Sequence, residues 1–211
     1  MSLASGLAIT PLASFESQAW RNGGGTTRAL AEAADRGWRI SLADVSSDGP
    51  YSRFPGMDRM SLIIRGAGVE LRHEAHEVVL EPGRAAGYDG EFAWQATLRD
   101  GPVVALNTMV LRTRFRARMV PLRETTFVAG GRWAACAPFA LVLPLDGRCA
   151  WRTPDMTTAT PLESDAVLMR PMNGADLWLT PLDAVVDGEA AVLVLIEPLA
   201  PHFIETEGTV T

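Results

Sequence analysis

The sequence contains no lysine, so its 19 basic residues are all arginines, set against 25 acidic ones for a net charge of −6. An acidic chain without a sustained basic stretch is a poor match for a nucleic-acid backbone, and no nucleic-acid partner is expected. The missing lysine reads mainly as codon composition, although the arginine fork also suits carboxylates and phosphates better than an ammonium does. Cysteine is nearly absent. Cys136 and Cys149 lack the Cys-x-x-Cys spacing of metal or redox sites and are expected to be small buried thiols rather than a disulfide. Histidine is equally scarce, with only His73, His76 and His202. A transition-metal site inside a barrel needs several imidazoles and a carboxylate together. In "GVELRHEAHEVVLEPG" the two histidines are three residues apart, which in one continuous strand sends them to opposite faces. The following "YDGEFAWQA" supplies no third. No metal and no cofactor are expected, and His73 and His76 are placed at the surface beside a hairpin.

Other absences exclude further classes. There is no G-x-S-x-G elbow, and neither cysteine neighbours a histidine in sequence. The longest apolar run, "AAVLVLI" at 190–196, is far too short to span a bilayer. The opening "MSLASGLAITPLASFESQAW" has no basic start, and Pro11 interrupts its apolar stretch, unlike a secretory signal. A soluble cytoplasmic protein with no membrane partner is expected.

What is present is strand signal. In "WRISLADV", Trp38, Ile40 and Leu42 alternate with Arg39, Ser41 and Ala43, the period of a half-buried strand. "TTRALAEA", "MSLIIRGAGVELRHE", "EVVLEP", "EFAWQATLR" and "PVVALNTMVL" read alike, while 46–59 is a loop punctuated by Asp48-Gly49-Pro50 and Pro55-Gly56. No segment holds a 3.6-residue apolar period, so helices should be few and short. The second half echoes the first: 61–72 resembles 140–152, 79–96 resembles 161–180, and 101–110 resembles 189–198. Gly68 then matches Gly147 and Trp94 matches Trp178, offsets of 79 and 84 residues that drift as loop insertions would make them. Two β units of about 80 residues suggest an all-β fold of tandem cupin-like jelly-roll barrels, a bicupin, divided as 1–115 and 116–211. Between them, Arg112, Arg114, Arg116 and Arg118 share one face of a strand. A charged row of this kind blocks unwanted pairing at a sheet edge, and an anion-binding stripe is the alternative.

Residues 20–28, "WRNGGGTTR", join three glycines, which are costly to order unless the backbone needs positive φ or a close approach. No Lys-Ser/Thr follows at P-loop spacing. A turn between strands and an anion-holding nest of amides backed by Arg28 both remain. Polar residues concentrate around this stretch, and Asn107 is a lone amide inside "VVALNTMVL". A buried amide needs partners or costs about 1–3 kcal/mol, and a structural bond and a ligand contact are equally good readings of it.

"WRNGGGTTR", "WRISLADVSSDGPYSRFPGMDR" and "LNTMVLR" resemble the HutD/Ves family, strongly over residues 20–110 and more weakly beyond. The resemblance implies a bicupin without metal histidines, an association with bacterial histidine utilisation, and a pocket for a small carboxylate such as N-formylglutamate or urocanate. The chain departs from the family at Ala105, where an acidic residue is frequent. The ligand site is expected to use Asn22, Thr27, Arg28, Arg39, Ser41, Asp44, Phe54, Asp58, Arg59 and Asn107. The expected function is that of a metal-free accessory or regulatory protein whose partner is this carboxylate, with a homodimer left open. The alternative is a metal-independent isomerase or hydrolase, with Asp44, Asp58 and Tyr51 as its catalytic candidates.

Overall fold

The computed structural model describes residues 6–131, 138–145, 148–182 and 190–199. Cys136, Gly147 and His202 lie outside the described residues. Alternating apolar positions between Gly and Pro turns give strands, and the one helical element among the described residues is a 3-10 turn at Leu12–Ser14. Three strands lead: β1 (Ala8–Pro11), β2 (Ser17–Ala19) and β3 (Gly25–Glu32). Next come β4 (Trp38–Val45), β5 (Gly49–Pro50), β6 (Met57–Arg65) and β7 (Val69–His73). They are followed by β8 (His76–Leu80), β9 (Ala86–Asp89), β10 (Gln95–Leu98) and β11 (Val103–Leu111). The second half contains β12 (Phe115–Leu122), β13 (Thr126–Val128), β14 (Phe139–Pro144) and β15 (Cys149–Arg152). It ends with β16 (Thr160–Leu162), β17 (Ala166–Arg170), β18 (Leu177–Pro181) and β19 (Ala191–Pro198).

The sequence echo has a counterpart in topology. In the first half β4-β11-β6-β9 and β5-β10-β7-β8 are neighbours, and in the second β12-β19-β14-β17 and β13-β18-β15-β16 repeat that order strand for strand. The fold is all-β and of jelly-roll type, as the even spacing of short strands suggested. β2 and β3 extend the first large sheet. β1 leaves its own half and pairs antiparallel with β17, Ala8 opposite Met169. The stretch 46–59, read as loop, contributes the two-residue β5 and the first residues of β6.

The four sheets stack as small, large, large, small. Trp38, Ile40, Leu42, Leu106 and Val110 of the first large sheet pack on Leu141, Leu143, Val192, Val194 and Ile196 of the second, forming a core between the halves. The opposite face of the first large sheet puts Ala43, Val45, Ile63 and Ala105 on Val69, Leu71, Leu80 and Trp94. The opposite face of the second sets Val142, Leu168 and Leu193 against Cys149, Trp151 and Leu179. Central strands are therefore covered on both sides, which is why β19 reads as a continuous apolar run. Cys149 is buried, and burial pushes its thiol up to about 11.

β12 lies at the edge of its sheet, and its arginines are paired: Arg116 and Arg118 reach Glu197 at 3.5 and 2.7 Å. Arg114 reaches Asp35 at 2.6 Å. The pairs of Arg116 and Arg118 fit the edge-guarding reading, but Arg112 and Arg114 fall in the turn before β12, so the four do not share one strand face as expected. Arg112 joins Asp89 at the end of β9, Nη2 to Oδ1 2.5 Å, and this guanidinium holds the Asp89 carboxyl below its ordinary range.

Nothing in the sequence marks Arg170, yet it is fully buried. Its guanidinium donates to the carbonyl oxygens of Val128 (3.3 Å), Ala129 (3.0 Å), Ala175 (3.0 Å) and Pro138 (2.7 Å). It ties three loops to the end of the second barrel, and burial lowers its pKa.

Two stability predictions follow from these contacts. Replacing Arg170 with Met strands buried carbonyls and should cost about 3 kcal/mol or more, read as a lowered urea midpoint; an unchanged midpoint would contradict the clamp. Because the Asp89 pKa is depressed in the folded state, its contribution is complete above the unfolded value and is lost as pH falls through the folded one. The stability gap between wild type and Asp89→Asn should therefore be widest near neutrality and close below about pH 4, where an aspartate protonates. Urea midpoints of both proteins from neutral to acid pH measure this, and a pH-independent gap would refute it.

Candidate functional site

Strand parity and register decide which side chains meet. Because Trp38, Ile40 and Leu42 enter the core between the halves, Arg39, Ser41 and Ala43 face the interior of the first barrel. Antiparallel pairing places Met109 opposite both Arg39 and Arg59, and Asn107 opposite both Ser41 and Ser61. The next row, Ala43–Ala105–Ile63, is apolar. The barrel interior thus becomes polar in the rows nearer one mouth, and there a cavity of about 760 Å³ opens.

The glycine stretch forms the rim. Gly23 has φ +72°, and its N–H donates to the carbonyl of Trp20 at 3.0 Å. The Asn22 side chain accepts from the Gly24 N–H at 3.1 Å, closing a turn between β2 and β3. A Cβ at Gly25 would collide with the carbonyl oxygen of Asp44, so only glycine lets the chain pass so close to β4. The Trp20 indole N–H donates to Thr27 Oγ1 at 2.7 Å, fixing both on the cavity wall.

Three arginines, Arg21, Arg39 and Arg59, line this space without a carboxylate partner among the described residues. The Arg39 side chain makes no hydrogen bond or ion pair among the described residues, and its Nε is buried and unpartnered. Arg59 lies within 5.3, 5.4 and 4.9 Å of the rings of Tyr51, Phe54 and Tyr88, a cationic plane held by aromatic faces. Its Nη1 donates to the Ser52 carbonyl at 3.3 Å, while its Nε is buried without a partner. Among the described residues, no aspartate or glutamate lines the cavity. Tyr51 does, and burial pushes its phenol pKa upward, so the hydroxyl stays protonated through neutral and mildly alkaline pH.

Asn107, 8% exposed, is both structural and cavity-facing. Ser61 Oγ donates to its Oδ1 at 2.5 Å, and its Nδ2 donates to the Ala105 carbonyl at 3.2 Å. Ser61 Oγ is also 2.9 Å from the Tyr88 hydroxyl.

Of the residues expected from sequence, Asn22, Thr27, Arg39, Ser41, Phe54, Arg59 and Asn107 line the cavity, and so does Tyr51. Arg28, Asp44 and Asp58 do not. Each has the opposite strand parity: Asp44 accepts from Thr26 Oγ1 at 3.2 Å, Asp58 meets Arg112 Nε at 3.2 Å, and Arg28 follows Thr27 onto the far face of β3. An amide nest backed by Arg28 is thereby ruled out, as is general acid–base work at this cavity by either aspartate. Ser61, Tyr88 and Met109 were not anticipated. Their signal is cross-strand register with Asn107 and Arg59, which a single strand's pattern does not reveal.

The histidines also need correction. His73 and His76 flank a two-residue turn with Glu74 at φ 51°, so they are direct cross-strand partners on two strands, and the opposite-face argument for one strand does not apply. Both rings lie against Phe92, at 4.8 and 4.9 Å. No group of three or more His, Cys, Asp or Glu side chains among the described residues is arranged to hold a metal. Likewise, no described helix is long and apolar enough to cross a membrane.

Comparison with known proteins gives the lineage. The HutD family model matches residues 12–177, and the chain belongs to the HutD family. Protein Ves of Citrobacter koseri is 32% identical over 118 residues, covering 53% of this chain and 61% of that protein. An uncharacterised 21.2 kDa protein of the hutC 3′ region of Pseudomonas putida is 30% identical over 106 residues, covering 47% and 56%. The chain thus matches less than two thirds of the length of these relatives. Among solved structures, HutD from Pseudomonas fluorescens SBW25, in a formate condition, superposes with a TM-score of 0.72 at 20% identity, covering 92% of this chain and 100% of that one. At that identity the likeness is one of fold.

Proposed function

We propose that this HutD-family chain is a histidine-utilisation-related accessory or regulatory protein that binds a small carboxylate in its first barrel and does not transform it. The observation carrying this reading is Arg39 and Arg59, each with a buried unpartnered Nε and no carboxylate partner, in a cavity that no aspartate or glutamate lines among the described residues, inside a chain of net charge −6. A desolvated guanidinium lacking an internal anion is completed by an external one, best by a bidentate carboxylate. The Trp20, Tyr51 and Phe54 rings add flat apolar wall. N-formylglutamate and urocanate both combine a carboxylate with a planar group. Family membership and the hutC-region relative support the pathway. The formate condition of the related HutD structure makes formate a sensible minimal probe. Turnover by a metal-independent enzyme has weaker support, because the one catalytic candidate at the cavity, Tyr51, keeps its proton and makes a poor base.

Thermal unfolding against urocanate, N-formylglutamate, glutamate and formate tests the proposal. A ligand at 100 times its Kd adds about 2.7 kcal/mol, a rise on the order of 5–10 °C for a chain this size. Arg39→Met and Arg59→Met should abolish the rise, whereas Arg28→Met, on the other face, should retain it. A flat response of folded wild type to the whole panel would overturn the carboxylate reading.

A further inference from the structure

We propose that Ser61 and Tyr88 set the cavity's preference for a carboxylate over the matching carboxamide, by locking Asn107 with an N–H directed at the ligand. The proposal rests on the carboxylate reading above and adds the residues that enforce it.

The direction of each bond follows from what each atom can do. The Ala105 carbonyl can only accept, so the Asn107 atom 3.2 Å from it is the amide nitrogen. The Asn107 oxygen therefore turns towards Ser61, and the serine hydroxyl donates its single proton there at 2.5 Å. With that proton committed, Ser61 Oγ can only accept from Tyr88, so the 2.9 Å contact runs from the phenol to the serine. The chain reads Tyr88 O–H to Ser61 O–H to Asn107 C=O. Ser61 is fully buried and Tyr88 only 7% exposed, so water does not readily substitute for either.

This arrangement occupies the Asn107 carbonyl and one of its N–H groups, leaving the second N–H for the cavity that the residue lines. Beside Arg39 and Arg59 it makes a set of donors. A carboxylate accepts from every donor, whereas a carboxamide brings its own N–H groups against them, and unmatched buried donors are costly. Without the Ser61 hydroxyl the Asn107 oxygen loses its donor, and the amide can turn to offer that oxygen to a ligand N–H. Tyr88 acts twice, since its ring also lies 4.9 Å from the Arg59 guanidinium carbon. Ser61 and Tyr88 are positioning residues, acting through Asn107 and Arg59.

The test is isothermal titration of the full chain with two matched pairs: urocanate against urocanamide, and N-formylglutamate against its diamide, in which both carboxylates are converted. Wild type should favour the acid of at least one pair by 30-fold or more. Ser61→Ala should shrink that ratio at least fivefold, chiefly by improving amide binding. Ser61→Thr, which keeps the hydroxyl, should restore it. Tyr88→Phe removes only the phenol oxygen, keeps the ring under Arg59, and should shrink the ratio by at least threefold. It also decides the matter if Ser61→Ala does not fold. A ratio preserved in Tyr88→Phe, or in folded Ser61→Ala, overturns this inference while leaving the carboxylate reading intact. Wild type that binds neither acid, or binds acid and amide alike, overturns both.

Discussion

The structure depends on burying the two large sheets on both faces. A jelly roll needs only one face of each sheet for its own interior, but here the outer faces close on each other through Trp38, Ile40, Leu42, Val192, Val194 and Ile196. Each central strand therefore has two assignments. One set of alternate residues holds the halves together, and the other fills a barrel. In the second barrel that filling set is apolar around Leu168, Leu179 and Leu193. In the first it is apolar at Ala43 and Ala105 and changes at Ser41, Asn107, Arg39 and Arg59. The core between the halves fixes the register, and the register brings Arg39 and Arg59 to opposite sides of Met109. With strands about 4.8 Å apart, two strand spacings put their Cα atoms about 10 Å apart, room enough for a small molecule between them.

The electrostatics of the first barrel contrast with those of the protein's outer surface. There, Arg112, Arg114, Arg116 and Arg118 all have carboxylate neighbours. The exposed pairs of Arg116 and Arg118 on the edge strand contribute little stability and serve edge protection. Arg39 and Arg59 are built differently, in a cavity without acids and with part of each guanidinium already removed from water. Arg59 is partly compensated by three aromatic rings. Arg39 has no such support, which makes it the stronger attractor for an incoming anion.

Much of this was legible in the sequence because strands write their period into it. Alternation in "WRISLADV" separates Arg39 and Ser41 from Ile40 and Leu42, and the structure respects it. The echo between halves was visible because the same turns recur. The glycine stretch read as a turn, and the reason for Gly25, a carbonyl passing where its Cβ would be, is invisible without the neighbouring strand. The failures share that cause. Arg28 adjoins Thr27 in sequence but faces away, Asp58 adjoins Arg59 and faces away, and the carbonyl clamp of Arg170 is made by loops far along the chain. His73 and His76 do sit beside a hairpin as expected, but the argument that they face opposite ways fails because the hairpin turns between them and makes them cross-strand partners. Proximity in sequence identified the right region, and parity and register chose the residues within it.

The crossing of β1 bears on how the chain assembles. Ala8 lies opposite Met169, so β1 waits for a partner made some 160 residues later. The entropy of closing so large a loop grows only logarithmically with its length, yet such distant contacts raise the contact order and slow folding. As the chain emerges from the ribosome, the first half can complete its ten strands, β2 to β11, while residues 8–11 still lack their sheet. β1 therefore docks late, after β17 has been laid down. The two halves resemble each other strand for strand, but β1 can be seated only once the sheet holding β17 is made.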